Sequence, residues 1–156
     1  MIRTGITMAV AVYGADRLSK WLVLEVLELT EQPDPFGPVF NLVLVRNTGV
    51  SFGMLQNDLS IGRWLLVAFA LAVVVALLVW LARSRGVLLA VALGMVIGGA
   101  AGNVTDRIIW GYVVDFLNFH VGDWHFPVFN VADAAIVCGF GLIVLDGLFA
   151  RRESGI

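Results

Sequence analysis

Apolar residues gather into four long runs along the chain, separated by stretches where polar residues, prolines and β-branched residues mix. Trp64–Ala82 and Gly86–Val104 carry no charged side chain over close to the roughly 20 residues that a helix needs to cross a bilayer. Ala134–Ala150 is interrupted only by Asp146, and Ile6–Leu27 only by Asp16, Arg17, Lys20 and Glu25. The pattern predicts four transmembrane helices, over about 6–27, 64–82, 86–104 and 134–150. Arg3 ahead of a short apolar run ending in Gly14 and Ala15 resembles a secretory leader, but hydrophobicity resumes at Trp21–Val26. The segment is therefore read as a span with Lys20 inside it.

The connections of about 28–63 and 105–132 are too long to be simple turns. Val39–Val45 follows the breakers Pro33, Pro35, Gly37 and Pro38 and is rich in β-branched and aromatic residues, which predicts a strand. Its two faces are largely apolar, with Phe40, Leu42 and Leu44 on one and Val39, Val43 and Val45 on the other. Tyr112–Val121 repeats the theme and places Asp115, Leu117 and Phe119 on one side. The fold class expected is an α-helical integral membrane protein: one polytopic domain over 1–156, with four spans and a small β-rich cap.

Composition agrees, with 60% hydrophobic and 14% charged residues against the roughly 25% charged of soluble proteins. Arg3, Arg83, Arg85, Arg151 and Arg152 all fall on one side if the helices alternate, and that side is cytoplasmic by the positive-inside rule. Both termini are then cytoplasmic and the cap is outer, or periplasmic, with Trp64, Trp110 and Trp124 as interfacial anchors. A net charge of -2 without a basic patch gives no sign of a nucleic-acid partner. The single cysteine, Cys138, excludes an intrachain disulfide and is expected to be a small core residue.

Ionisable groups at membrane depth are costly and usually face a bundle interior. Asp16 and Lys20 are four residues apart and share a helix face, so they can pair; this is either an internal lock or a support for a catalytic site. Arg17 points elsewhere, toward a partner in the loop region or toward the interface. Asp146 belongs to a solvated helix end near Arg151 and Arg152. Gly94, Gly98 and Gly102 form a ridge for close helix packing. Asn103, Asp106 and Arg107 arrive where that helix leaves the membrane, with Arg107 adjacent to Asp106 and able to pair with it. Asn47, Thr48, Gly49 and Ser51 cluster after the first strand, as a polar turn or part of a site.

Asp115 and Asp133 are lone carboxylates in apolar company. Two such groups sharing one site hold a proton between them, the state an aspartic peptidase uses, although spacing alone does not bring them together. A proton-coupled carrier is the rival reading, disfavoured by the gathering of polar groups on one side and the lack of an inverted repeat. A zinc peptidase is disfavoured because His120 and His125, expected in a loop, form no HExxH pattern. No cofactor and no metal site are expected.

Five blocks in order resemble the lipoprotein signal peptidase, or signal peptidase II, family. They are Asp16-Arg17-Leu18-Ser19-Lys20, Asn47-Thr48-Gly49-Val50-Ser51-Phe52, Gly98 through Arg107, Val113-Val114-Asp115-Phe116 and Phe129-Asn130-Val131-Ala132-Asp133. The resemblance implies an enzyme of the bacterial inner membrane that cuts prolipoproteins just before a cysteine carrying a diacylglyceryl group. Its partners would be these substrates and membrane lipids, and it is read as a monomer. Asp115 and Asp133 match the family's catalytic dyad, while Asn47, Asn103, Arg107 and Asn130 match residues lining its substrate pocket. Asp16, Lys20 and Asp106 match positions that look supportive rather than chemical. Arg17 stands where many relatives carry glutamine, which bears on pairing within the first helix.

Overall fold

The structure, a computed structural model, describes residues 1–35, 37–49 and 59–153. Val50, Ser51 and Phe52 of the second block lie outside the described residues. The chain forms α1 (Ile2–Trp21), a π-helical turn (Leu22–Val26), β1 (Asp34–Pro35), β2 (Phe40–Asn47) and α2 (Leu59–Arg83). It continues through α3 (Val87–Ile109), β3 (Val113–Val121), β4 (Trp124–His125) and α4 (Val131–Glu153).

Among the described residues three helices are long and apolar enough to cross a membrane, within α2, α3 and α4. α1 falls short by composition because Arg3, Asp16, Arg17 and Lys20 interrupt it. α3 is the central helix, packing against α1, α2 and α4. Of its apolar span 56% is buried inside the protein, against 11% for α2 and 17% for α4, so those two present most of their apolar surface outward.

The glycine ridge explains how α3 meets α1 so closely. A methyl group at Gly98 would run into the backbone oxygen of Ala9 and lie 2.9 Å from the Val12 Cβ, and one at Gly102 would strike the Asp16 carboxylate. On the opposite side, a methyl at Gly99 would lie 2.5 Å from the Ala132 oxygen of α4. Backbone therefore sits against backbone on both flanks of α3, the approach that small residues permit in membrane bundles.

The helix ends differ from the sequence expectation. α3 continues to Ile109 rather than stopping near Val104, so Asn103, Asp106 and Arg107 ride on its last turns. Charge does not stop a helix whose charged side chains find partners. The stop comes at Trp110, whose N–H bonds the Asp106 oxygen at 2.8 Å, followed by Gly111 at φ +84°. α4 begins at Val131, three residues earlier than expected, which places Asp133 in its first turn.

The strands form a small antiparallel sheet in the order β1-β2-β3-β4. Phe40 pairs with Phe119 and Leu42 with Leu117; after an irregularity, Val45 pairs with Asp115 and Asn47 with Val113. Both predicted strands are present, shifted by one or two residues. One apolar core lies among the helices, built from Ala9, Leu81, Ala90, Leu93 and Ile97. A second, of Val23, Leu42, Leu44, Val114 and Phe116, joins the sheet to the π-helical turn that follows α1.

Two expectations are corrected. Cys138 is exposed rather than in the core, because α4 turns an apolar face outward and composition cannot separate such a face from an interior one. His120 and His125 are strand residues rather than loop residues, paired across β3 and β4 with rings stacked at 5.1 Å.

Candidate active site

Asp115 comes from β3 and Asp133 from α4, and the segment between them returns along β3 to bring them together. Leu117 and Phe129 exchange backbone hydrogen bonds, N–H of Leu117 to Phe129 oxygen at 2.8 Å and the reverse at 3.1 Å. The next residue, Asn130, lies against Asp115, its Nδ2 donating to Asp115 Oδ1 at 2.6 Å. Asn130 is also the N-cap of α4: its Oδ1 accepts from the Asp133 N–H at 2.9 Å, while Asp133 Oδ2 accepts from the Asn130 N–H at 3.3 Å. This reciprocal arrangement is a capping box. One residue thus starts the helix that carries one carboxylate and donates to the other. The Asn-x-x-Asp spacing ahead of an apolar run was the available signal for it.

Two further asparagines complete the ring. Asn47, at the end of β2, donates to Asp115 Oδ2 at 2.8 Å. Its own Oδ1 accepts from the Gly49 N–H at 2.8 Å in a local turn, with Gly49 at φ +74°. Asn103, from α3, donates to Asp133 Oδ1 at 2.7 Å. Arg107, one turn further along, donates to the Asn103 backbone carbonyl oxygen at 3.4 Å and lies within electrostatic range of Asp133, Asp115 and Asp106. Its buried Nε lacks a hydrogen-bond partner among the described residues.

Beneath the ring lies a fully buried ionic cluster. Lys20 Nζ is 2.8 Å from Asp16 Oδ2 and 2.6 Å from Asp106 Oδ2, with all three side chains 0% exposed. The Asp16–Lys20 pair is the one the helical spacing suggests. Asp106 is paired with Lys20 and Arg17 rather than with its neighbour Arg107, since adjacent residues on a helix point in different directions. Arg17 accordingly finds its partner on α3, and its guanidinium lies over Trp110, 4.9 Å from the ring centroid. Trp110, also stacked with Tyr112, is therefore engaged within the protein, whereas Trp64 and Trp124 are exposed. Asp16 Oδ1 accepts from the Ala132 N–H at 3.1 Å and Asp106 Oδ2 from the Val114 N–H at 3.2 Å, fastening the approaches to Asp133 and Asp115.

The two carboxylates have unlike surroundings. Asp115 is 1% exposed, and burial pushes its carboxyl up to about 6, the Asp133 charge acting in the same direction. The amides of Asn47 and Asn130 and the Lys20 charge pull the other way. Asp133 is half-buried and borders an apolar cavity of about 220 Å³ lined by Phe126, Phe129, Ala134, Val137 and Cys138. The site thus sets one fully buried and one half-buried carboxyl group beside an apolar recess.

Residues 8–149 match the family described as Signal peptidase (SPase) II. The chain is 46% identical to a lipoprotein signal peptidase of Methylorubrum extorquens strain PA1, over 94% of this chain and 86% of that protein. It is 43% identical to one from Symbiobacterium thermophilum, over 95% of this chain and 96% of that protein. A bacterial membrane enzyme solved at 1.9 Å matches with a TM-score of 0.81 and 26% identity, over 95% of this chain and 94% of that one. Another, solved at 2.3 Å, has the same TM-score at 24% identity and shares the fold. With the match spanning all four helices and the sheet, the chain belongs to the signal peptidase II family of proteases.

Proposed function

We propose that this protein is an aspartic endopeptidase that removes the signal peptide from diacylglyceryl-modified bacterial prolipoproteins, cutting just before the lipidated cysteine. The observation that carries the reading is the joining of Asp115 and Asp133 through Asn130 inside a ring of amide donors. The ionised carboxylate takes a proton from a water as it attacks the scissile carbonyl. The protonated one hydrogen-bonds the carbonyl oxygen, and the pair then protonates the leaving nitrogen. Asn47, Asn103, Arg107 and Asn130 orient the dyad and the peptide backbone, and Asp16, Lys20 and Asp106 hold the platform beneath. No cofactor takes part.

The apolar cavity beside Asp133 suits a substrate whose cut bond adjoins hydrocarbon. Acyl chains left among lipid tails or in such a recess contribute about 0.8 kcal/mol per buried methylene. α1 is the fourth span in this reading. Its 20 residues reach about 30 Å at 1.5 Å each, enough for the hydrocarbon core, and Asp16, Arg17 and Lys20 are paired internally near its site end. In this reading the basic residues favour cytoplasmic termini in a multi-pass inner-membrane protein with the sheet and dyad at the outer face, and the chain works as one polytopic domain over 1–156 and as a monomer.

The test is cleavage by purified protein of a diacylglyceryl prolipoprotein and of its unlipidated form. Only the lipidated form should be cut, and Asp115→Asn or Asp133→Asn should abolish turnover in a protein that still inserts and folds. Near-normal turnover by either variant would remove the dyad assignment, and equal cutting of both substrates would remove the lipid requirement.

A further inference from the structure

Each asparagine around the dyad has a carboxamide that could in principle face either way, and each is held by a donor at its oxygen. In Asn47 the donor is the Gly49 N–H and in Asn130 the Asp133 N–H. A backbone N–H cannot become an acceptor, so both amides must turn Nδ2 toward Asp115. Among the described residues no backbone N–H donates to Asn103 Oδ1. Its Oδ1 faces the Lys20 ammonium at 3.3 Å and the Asn130 Nδ2 at 3.2 Å, while its Nδ2 donates to Asp133 Oδ1 at 2.7 Å. The Asn130 amide makes its shorter bond to Asp115, which leaves the ammonium as the charged group facing the Asn103 oxygen. A reversed Asn103 would set an NH₂ against an ammonium and an oxygen against a carboxylate.

Lys20 is itself fully buried between Asp16 and Asp106. Those two carboxylates also take the Ala132 and Val114 N–H groups, each one residue from a dyad aspartate. We propose that Lys20 is a positioning residue for the dyad: by holding the Asn103 oxygen it obliges that amide to donate to Asp133, completing a ring in which every asparagine presents N–H to a carboxylate. The proposal rests on Asp115 and Asp133 being the catalytic pair and gives the buried ammonium a task beyond neutralising Asp16.

A lysine that only held helices together would act on stability independently of Asn103. One that orients Asn103 acts on turnover through it. Because Lys20→Met alone strands the Asp16 carboxylate, the test variant is Asp16→Asn with Lys20→Met, which removes one charge of each sign and keeps an oxygen for the Ala132 N–H. Its kcat on a diacylglyceryl prolipoprotein should fall about 100-fold, the scale of a misplaced reacting group, with KM within about twofold. Adding Asn103→Ala should cost no more than Asn103→Ala does alone. Asp16→Asn with Lys20→Gln, whose amide restores a donor, should regain at least about tenfold of that loss.

Wild-type kcat in the folded Met variant, multiplying losses in the triple variant, or no rescue by Gln would each overturn the role of Lys20. Loss of the folded state in both double variants would make Lys20 structural and overturn it too. The dyad reading fails separately, if wild type leaves the lipidated substrate uncut or Asp115→Asn still cuts it.

Discussion

Asp115→Asn keeps the shape of the more buried of the two carboxyl groups and removes its ability to ionise, which makes stability against pH a test of its environment. The carboxyl is pushed up from an ordinary 3.8 to about 6, chiefly by burial. Between those values the folded protein keeps a proton that the unfolded chain has released, so this group lowers stability progressively as pH rises from about 4 to about 6, with the full loss remaining above. The rise corresponds to at most about 3 kcal/mol, and to about 2 kcal/mol once screening by water at the site mouth is allowed for. Asparagine escapes that loss, but only one of its two polar atoms can accept. Either the Asn47 or the Asn130 amide is then left facing another NH₂, at a cost of about 1–3 kcal/mol. The variant should therefore melt below wild type near pH 4.5 and close to or above it near pH 8. A swing of about 2 kcal/mol corresponds to about 4–8 °C in a chain of this size. Thermal unfolding of both proteins in one detergent across that range is the assay. A melting difference that stays flat with pH, or turns further against the variant as pH rises, would refute the raised carboxyl.

The remaining expectations concern packing and metal. Gly98→Val should destabilise by about 3 kcal/mol or more, because its side chain meets Ala9 and Val12 of α1, whereas Gly141→Ala, with open space around it, should be neutral or stabilising by up to about 1 kcal/mol; unfolding midpoints distinguish them. Chelators such as EDTA or phenanthroline should leave prolipoprotein cleavage unchanged, and inhibition reversed by added zinc would restore the metal-peptidase reading.

The helices and strands were legible because the bilayer imposes a simple rule on composition and β-branched runs impose another. That rule is silent on helix ends: apolar runs stop at Val104 and begin at Ala134, yet α3 and α4 continue through charged residues that find partners inside the bundle. It is silent too on Cys138, because a lipid-facing position is as apolar as a buried one. The site residues stood out as polar groups in apolar company, and the i,i+4 pair of Asp16 and Lys20 follows from helical spacing alone. The partner of Arg17, 89 residues away on α3, has no periodic trace in the sequence. Neither does the meeting of Asn130 with Asp115, which depends on the segment before α4 folding back along β3. Family resemblance supplied the grouping that spacing could not.

The reciprocal cap between Asn130 and Asp133 joins two events that many enzymes keep separate. Elsewhere a helix can fray at its first turn and reform without disturbing chemistry carried by other elements. Here the first turn of α4 holds one carboxylate, its cap is an amide donor to the other, and its next N–H is bound to α1 through Asp16. If Asp115 and Asp133 react as proposed, opening that single turn takes the pair apart, so the stability of the helix start sets how often the site is assembled. Amide hydrogen exchange at residues 132–134 would then read out, residue by residue, the fraction of time the enzyme is ready to act.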